Sequence, residues 1–405
     1  LVSLNKRYFF VRIQSLFISL CVSLALLVLA GCGGVATAGS SPTPTPSPAG
    51  TFSPSRFIYG IIAFEADGIY AGQIDSGTGR VSPLAGNPFA NAMGQNIVIQ
   101  VPVDPKGRFV YMLNLGASSF GNVLGRPGIG EYQIDPLSGA LKPVPNGTVV
   151  FPSTRSGRLA VDGLGRFLYE PNGSSFDLWS IDQGSGLLNQ MAGTTLAPVG
   201  FFIVASNDGR FLFNGGNQVV FGTLGNGMVE AASINQSTGQ LVSNGPALPT
   251  GGSAGPMVVS RDGKSLYVAN TTEGTIAVFN VSSSGALTPA IGSPFTSNAI
   301  AVGLTLTPDG KYLYVVSSIS SIASTVQGYA VNPATGVFTA IPGAVVDATT
   351  VAVDGSGKFA YITELTATTT QLSTYIIDPA TGALTRASQA AQPISFDSGD
   401  VAVAQ

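Results

Sequence analysis

The sequence predicts an all-β ring of seven small antiparallel sheets, and three observations carry that expectation. Two different turn motifs alternate along the chain, seven times each. The six steps from Gly79 to Gly382, equivalent positions of the second motif, average 50.5 residues. The segments between turns alternate in sidedness and are rich in Val, Ile, Phe and Tyr, as strands are.

The first motif is a turn, a basic residue and an apolar strand. It reads Pro105-Lys106-Gly107-Arg108-Phe109-Val110-Tyr111 in one copy and Pro308-Asp309-Gly310-Lys311-Tyr312-Leu313-Tyr314 in another. The remaining copies carry Arg56, Arg166, Arg210, Lys264 and Lys358 after the turn. An aromatic follows three residues later: Tyr59, Tyr111, Tyr169, Phe213, Tyr267, Tyr314 and Tyr361. The basic residues are expected on a solvated rim, and the aromatics between neighbouring sheets.

The second motif is an apolar strand, a polar residue, a turn and Gly. Tyr132-Gln133-Ile134-Asp135-Pro136-Leu137-Ser138-Gly139 and Tyr375-Ile376-Ile377-Asp378-Pro379-Ala380-Thr381-Gly382 are its clearest forms. Asp-Gly and Ser/Thr-Gly supply the positive φ that tight hairpins require, so the recurring Asp residues are read as turn caps. Two hairpins per unit make a four-stranded blade. Such a blade cannot bury its own faces, so its neighbours must stack around an axis, giving a seven-bladed β-propeller over 55–405.

A stacked solenoid would end in cap-like units, and this chain does not. It ends in Asp400-Val401-Ala402-Val403-Ala404-Gln405, an apolar strand like Arg158-Leu159-Ala160-Val161-Asp162. This last strand is expected to pair with the opening segment near Arg56 to Ile62, closing the ring and removing exposed edges.

The N-terminus reads as an address. Lys6, Arg7 and Arg12 precede an uncharged apolar stretch from Leu16 to Ala30, shorter than the ~20 apolar residues of a spanning helix. It ends in Leu29-Ala30-Gly31-Cys32, which resembles the bacterial lipoprotein lipobox. That resemblance implies a signal peptide over 1–31 and a lipid on Cys32. Residues 32–54 then form a Pro/Ser/Thr-rich tether, semi-rigid at about 3.1 Å per residue. Processing would remove Cys21 and occupy Cys32, so no thiol chemistry would remain. It would also leave 15 basic against 21 acidic residues, a net charge of −6. A lipid anchor in the cell envelope, at the outer membrane or cell surface, and a monomeric body are the expectations.

Composition narrows the chemistry. The chain has 405 residues, no histidine and only 10% charged residues. The commonest general base and metal ligand is therefore missing, and no zinc or haem site, calcium loop, phosphate loop or cofactor is expected. Scattered Lys and Arg with a net negative charge argue against a nucleic-acid surface.

Asp-Gly-Lys-Tyr-Leu-Tyr-Val at Asp309 to Val315, with Ile-Asp-Pro-Ala-Thr-Gly-Ala-Leu at Ile377 to Leu384, resembles the lactonase-like seven-bladed propeller family. That family includes propeller-type bacterial 6-phosphogluconolactonases. The resemblance implies hydrolysis of sugar lactones, with histidines near the first motif in the enzymatic members. Gln100, Arg158, Met257 and Val302 stand ahead of the turns here.

Functional groups are expected at the end of the ring opposite the motif turns, where loops need not repeat. Seven places past each first-motif turn lie Ile62, Asn114, Asn172, Gly216, Asn270, Ser317 and Glu364. Asn114, Asn172, Asn270 and Arg155 are the ligand-binding candidates, and Glu170, Glu364 and Arg158 the catalytic ones. Asp347, Asp177, Glu131, Glu230 and Glu273 fall in the same connections. The expected function is an envelope-anchored propeller binding a carbohydrate or protein ligand on its loop-rich face. The alternative is a lactone hydrolase using carboxylate and Arg groups at the ring centre. A purely structural role, with one ring face as an interface, is the third reading.

Overall fold

The computed structural model describes residues 56–62, 68–93, 98–114, 126–152, 157–173, 175–196, 200–220, 223–297, 299–320, 323–332, 335–365, 370–388, 392–393 and 401–404. The signal segment, Cys32, the tether and Arg155 lie outside these residues.

The strands among the described residues form seven antiparallel sheets in the order that the repeats prescribe. Blade 2 runs Val98–Gln100, Phe109–Asn114, Gly128–Ile134 and Leu141–Val150 from first strand to fourth. Blade 5 repeats the order with Ala254–Val259, Ser265–Asn270, Thr275–Val281 and Leu287–Pro289. First strands of successive blades touch one another from Ala160–Val161 through Phe202–Ala205, Ala254–Val259, Ile300–Leu306 and Ala348–Val353 to Val401–Ala404. They therefore surround the axis, and the fourth strands lie outside.

The ring closes as the sequence expects. Val401–Ala404 is the first strand of blade 1 and pairs antiparallel with Phe57–Ile62, Ile58 opposite Val403 and Gly60 opposite Val401. The backbone N–H of Arg56 adds a bond to the carbonyl of Ala404 at 2.7 Å. One edge of the first blade is thereby covered by the last four described residues.

Apolar burial sits between blades. Blades 6 and 7 share a cluster of Tyr314, Val316, Ile362 and Tyr375, and blades 2 and 3 one of Tyr111, Leu113, Leu168 and Trp179. Gly139 of blade 2 has φ +72°, and the place of its missing side chain is taken by the Phe57 ring of blade 1. Phe359 of blade 7 fills the same space at Gly79, across the closure. Ring into glycine is thus how six of the seven second motifs receive the first motif of the preceding blade, and at Gly336 Val278 takes that place.

Two expectations need correction. The basic residues are not uniformly a solvated rim. Arg108 donates to the fully buried Asp104 (2.8 and 3.0 Å), stacks 4.8 Å from the Phe109 ring, and reaches the Gln183 carbonyl of blade 3 at 3.3 Å. Arg166 does the same with Asp162 and the carbonyl of Gln236 in blade 4. Where Lys replaces Arg, as at Lys264, the side chain is largely solvated, 79% exposed and 3.8 Å from Asp262. The reason is geometric: guanidinium offers several donors in a plane, enough to serve its own carboxylate and the next blade together.

The recurring Asp residues likewise divide. Asp75, Asp135, Asp182 and Asp378 are exposed turn caps, accepting from Thr78, Ser138, Ser185 and Thr381, which hold their carboxyls below the usual range. Asp104, Asp162 and Asp354 are buried and organise the first turn from inside. Where Ser206, Ser260 or Thr307 replaces that buried Asp, its hydroxyl bonds Asp208, Asp262 or Asp309 instead.

Candidate functional site at the loop-bearing end of the ring

The seven first strands form the inner wall, and none carries a charged residue. Their sequences, such as Val-Ala-Val-Ala at 401–404 and Ile-Ala-Val-Gly-Leu-Thr-Leu at 300–306, are apolar with scattered threonines. A first strand contacts its own blade on one side and other first strands beyond, so charge there would be poorly hydrated. Charge enters only at the ends of these strands.

Arg158, two residues ahead of Ala160–Val161, supplies a cation at the loop-bearing end. It is half-buried, and one guanidinium nitrogen donates to the carbonyl of Ile99 in blade 2 at 3.1 Å. Beside it Gln100 exchanges two bonds with Leu159, Nε2 to the carbonyl at 3.1 Å and Oε1 from the N–H at 2.6 Å. The Gln100 side chain thus mimics a strand partner and fixes blade 3 against blade 2. Among the described residues the Arg158 side chain makes that one bond to Ile99, with donors to spare.

Asp347 forms the single-residue link between Phe338–Val346 of blade 6 and Ala348–Val353 of blade 7. It is exposed, has φ +57°, and belongs to the loop-bearing end. A non-glycine residue in that conformation is uncommon, and Asp is among the side chains that tolerate it. By blade count Arg158 and Asp347 stand on opposite sides of the axis.

The other candidates occupy second strands, one layer out. Glu364, on Phe359–Leu365, is 6% exposed and saturated. Its Oε1 accepts from the Tyr375 hydroxyl at 2.5 Å, and its Oε2 from Gln371 (2.9 Å), Ser373 (2.7 Å) and the Arg386 guanidinium (3.0 Å). Its oxygens are thus directed to four fixed side chains of its own blade. Glu170 is fully buried on Phe167–Asn172. Asn114 accepts from Asn91 at 2.8 Å and donates to the Met112 carbonyl at 3.0 Å. Asn172 donates to the Asp177 carboxylate at 3.2 Å, and Asn270 to Thr275 and the Thr250 carbonyl, each at 2.8 Å. These residues belong to four blades and bond to nearby partners of their own. They frame the loop-bearing end and do not converge into one cluster.

Sequence reasoning missed Gln371, Ser373 and Tyr375. Their signal was available: three polar groups at alternate positions of one strand place all three on one face. Among the described residues no group of three or more His, Cys, Asp or Glu side chains has a metal-binding arrangement. No helix there is long and apolar enough to cross a membrane.

A closed ring of seven repeated four-stranded blades, with an inner wall of uncharged first strands, defines a seven-bladed β-propeller. Two overlapping segments, 164–293 and 216–395, match the model of the lactonase, 7-bladed β-propeller family, and together they cover more than half of the chain. The chain belongs to that family. Among solved structures, the periplasmic gluconolactonase of Pseudomonas aeruginosa is 19% identical, with a TM-score of 0.66 over 87% of this chain and 99% of that one. A proposed 6-phosphogluconolactonase of Bacteroides fragilis is also 19% identical, with a TM-score of 0.67 over 89% of this chain and 100% of that one. At such identity the likeness establishes the fold alone. Comparison with curated proteins finds no sequence match.

Proposed function

We propose that the protein is a lactone hydrolase taking a sugar lactone at the loop-bearing end of the ring. Membership of the lactonase family carries this reading, and the position of Arg158 makes it concrete. Hydrolysis adds water to the lactone carbonyl carbon. Charge builds on the carbonyl oxygen, and the ring C–O bond then breaks to leave a hydroxy acid, the ring oxygen taking a proton. Arg158 has donors for the oxygen on which charge develops, where such a group acts most strongly. Asp347, exposed at the same end of the ring, is the carboxylate we assign to accept a proton from the attacking water. Glu364 and Glu170 are assigned to the frame.

The test is a pH-stat measurement of glucono-1,5-lactone opening by the full chain, corrected for spontaneous hydrolysis. Acceleration that saturates with lactone supports the proposal, and a rate equal to background contradicts it. The saturated Glu364 favours a second reading, in which the same end binds the sugar without turnover. Saturable binding with a background rate would be its signature.

For location, we read the body as tethered to the cell envelope through a lipidated Cys32 and residues 33–54, working as a monomer at the outer membrane or cell surface. The support is the lipobox-like sequence. Cys32→Ala would shift the protein from the membrane fraction to the soluble one, and an unchanged distribution would contradict the anchor.

A further inference from the structure

At the loop-bearing end of blade 6, beside its link from blade 5, a cavity of about 350 Å³ opens. Ser297, Ala299, Ile300, Ser317, Thr325 and Gln327 line it. We propose that it binds an uncharged, hydroxyl-rich small molecule of hexose size, at a site separate from the ring centre.

Three features point to that class. Ser317 lies opposite Thr325 in register and is 2% exposed, yet its Oγ has no hydrogen-bond partner. Buried hydroxyls are normally paired, so an unpaired one at a cavity wall marks a place where a ligand group can bond. Gln327 spends its amide N–H groups on the carbonyls of Gly328 (2.8 Å) and Ile341 (2.6 Å), which leaves Oε1 as an acceptor. Ile300, 41% exposed, and Ala299 give an apolar patch on the same cavity. Hydroxyl donors, a fixed amide acceptor and an aliphatic patch suit a sugar, which has polar edges and a C–H face. No charged side chain is among the described lining residues, so a phosphorylated sugar would lose its hydration without a cation in return.

The neighbouring geometry holds the wall in place. Leu313 and Val315, on the strand that carries Ser317, pack into blade 5 beside Tyr267 and Ile276. The Tyr329 hydroxyl donates to the Ser297 carbonyl at 3.0 Å. These contacts tie the strands of blade 6 to the exit of blade 5 and hold the cavity wall in place.

The experiment is calorimetric titration of the full chain with D-glucose, and with D-glucose 6-phosphate as the charged control. Glucose binding near the millimolar range is expected. It should weaken about tenfold or more in Thr325→Val and in Ser317→Ala, with Tm unchanged, and stay unaltered in Arg158→Met. No glucose binding, equal binding of the phosphate, or full affinity in both cavity variants would overturn the proposal. Loss of binding in Arg158→Met would also overturn it, by placing the sugar at the ring centre.

Discussion

The hydroxyl of Tyr59 in blade 1 donates to the carbonyl of Gly139 in blade 2, at 2.8 Å and across 80 residues of chain. The same bond joins Tyr111 to Gly186 (3.0 Å), Tyr169 to Gly239 (2.7 Å) and Tyr314 to Gly382 (2.8 Å). Three blades depart from it: Phe213 has no hydroxyl, Tyr267 bonds Ser265, and the Tyr361 hydroxyl is buried without a partner while Thr374 serves the Gly79 carbonyl. Tyr111→Phe should therefore cost about 1–2 kcal/mol, from a lost bond and an unpaired carbonyl. Tyr361→Phe should cost nothing or stabilise slightly. Equal losses in urea melts of the two variants would refute the latch.

Glycine substitutions separate backbone from packing. At Gly139 a Cβ would overlap the Phe57 ring, whereas at Gly263, with φ +70°, it would meet nothing within 4 Å. Gly263→Ala should cost roughly 1–2 kcal/mol for the left-handed backbone alone. Gly139→Ala should cost roughly 1–3 kcal/mol more, because the ring must move. The comparison fails if calorimetry gives the two variants the same Tm.

Asp104 offers a test of the buried first turn. It accepts from the backbone N–H of Arg108 and of Phe109 while pairing with the Arg108 guanidinium. Asp104→Ala should destabilise by roughly 3–5 kcal/mol, since it strands a cation and two amides. Lys264→Met, at a pair 3.8 Å apart and largely exposed, should change stability by less than about 0.5 kcal/mol.

The turns and strands of each blade were legible in the sequence because their chemistry is local. A hairpin needs its Gly within a few residues, so the Gly107 and Gly139 motifs announce themselves, and the closing strand shows as an unpaired apolar run. What was not legible depends on how neighbouring blades meet. Nothing near Arg108 in the sequence indicates that it will reach Gln183, and nothing near Arg158 indicates the carbonyl of Ile99. Glu364 was legible as a polar strand end. Its four donors come from the two strands beyond it, and only the pairing register brings them together.

Glu131 should give stability a pH dependence. It lies buried between blades 2 and 3, accepts from the Leu188 N–H at 3.0 Å, and burial pushes its carboxyl up from 4.5 to about 7. Between those values the unfolded chain has shed this proton while the folded protein keeps it. Stability from this site therefore falls as pH rises from 4.5 to 7 and levels off above, by roughly 1–3 kcal/mol after allowance for solvent screening. Glu131→Gln keeps an acceptor for Leu188 and should flatten that part of the profile. An unchanged slope would remove Glu131 as its source.

The claim that the ring centre handles the lactone is tested most directly by kcat/KM for glucono-1,5-lactone opening in wild type and Arg158→Met. A fall of about 100-fold, carried mostly by kcat and with an unchanged melting profile, is the result this account predicts. Equal kcat/KM in the two proteins would contradict it.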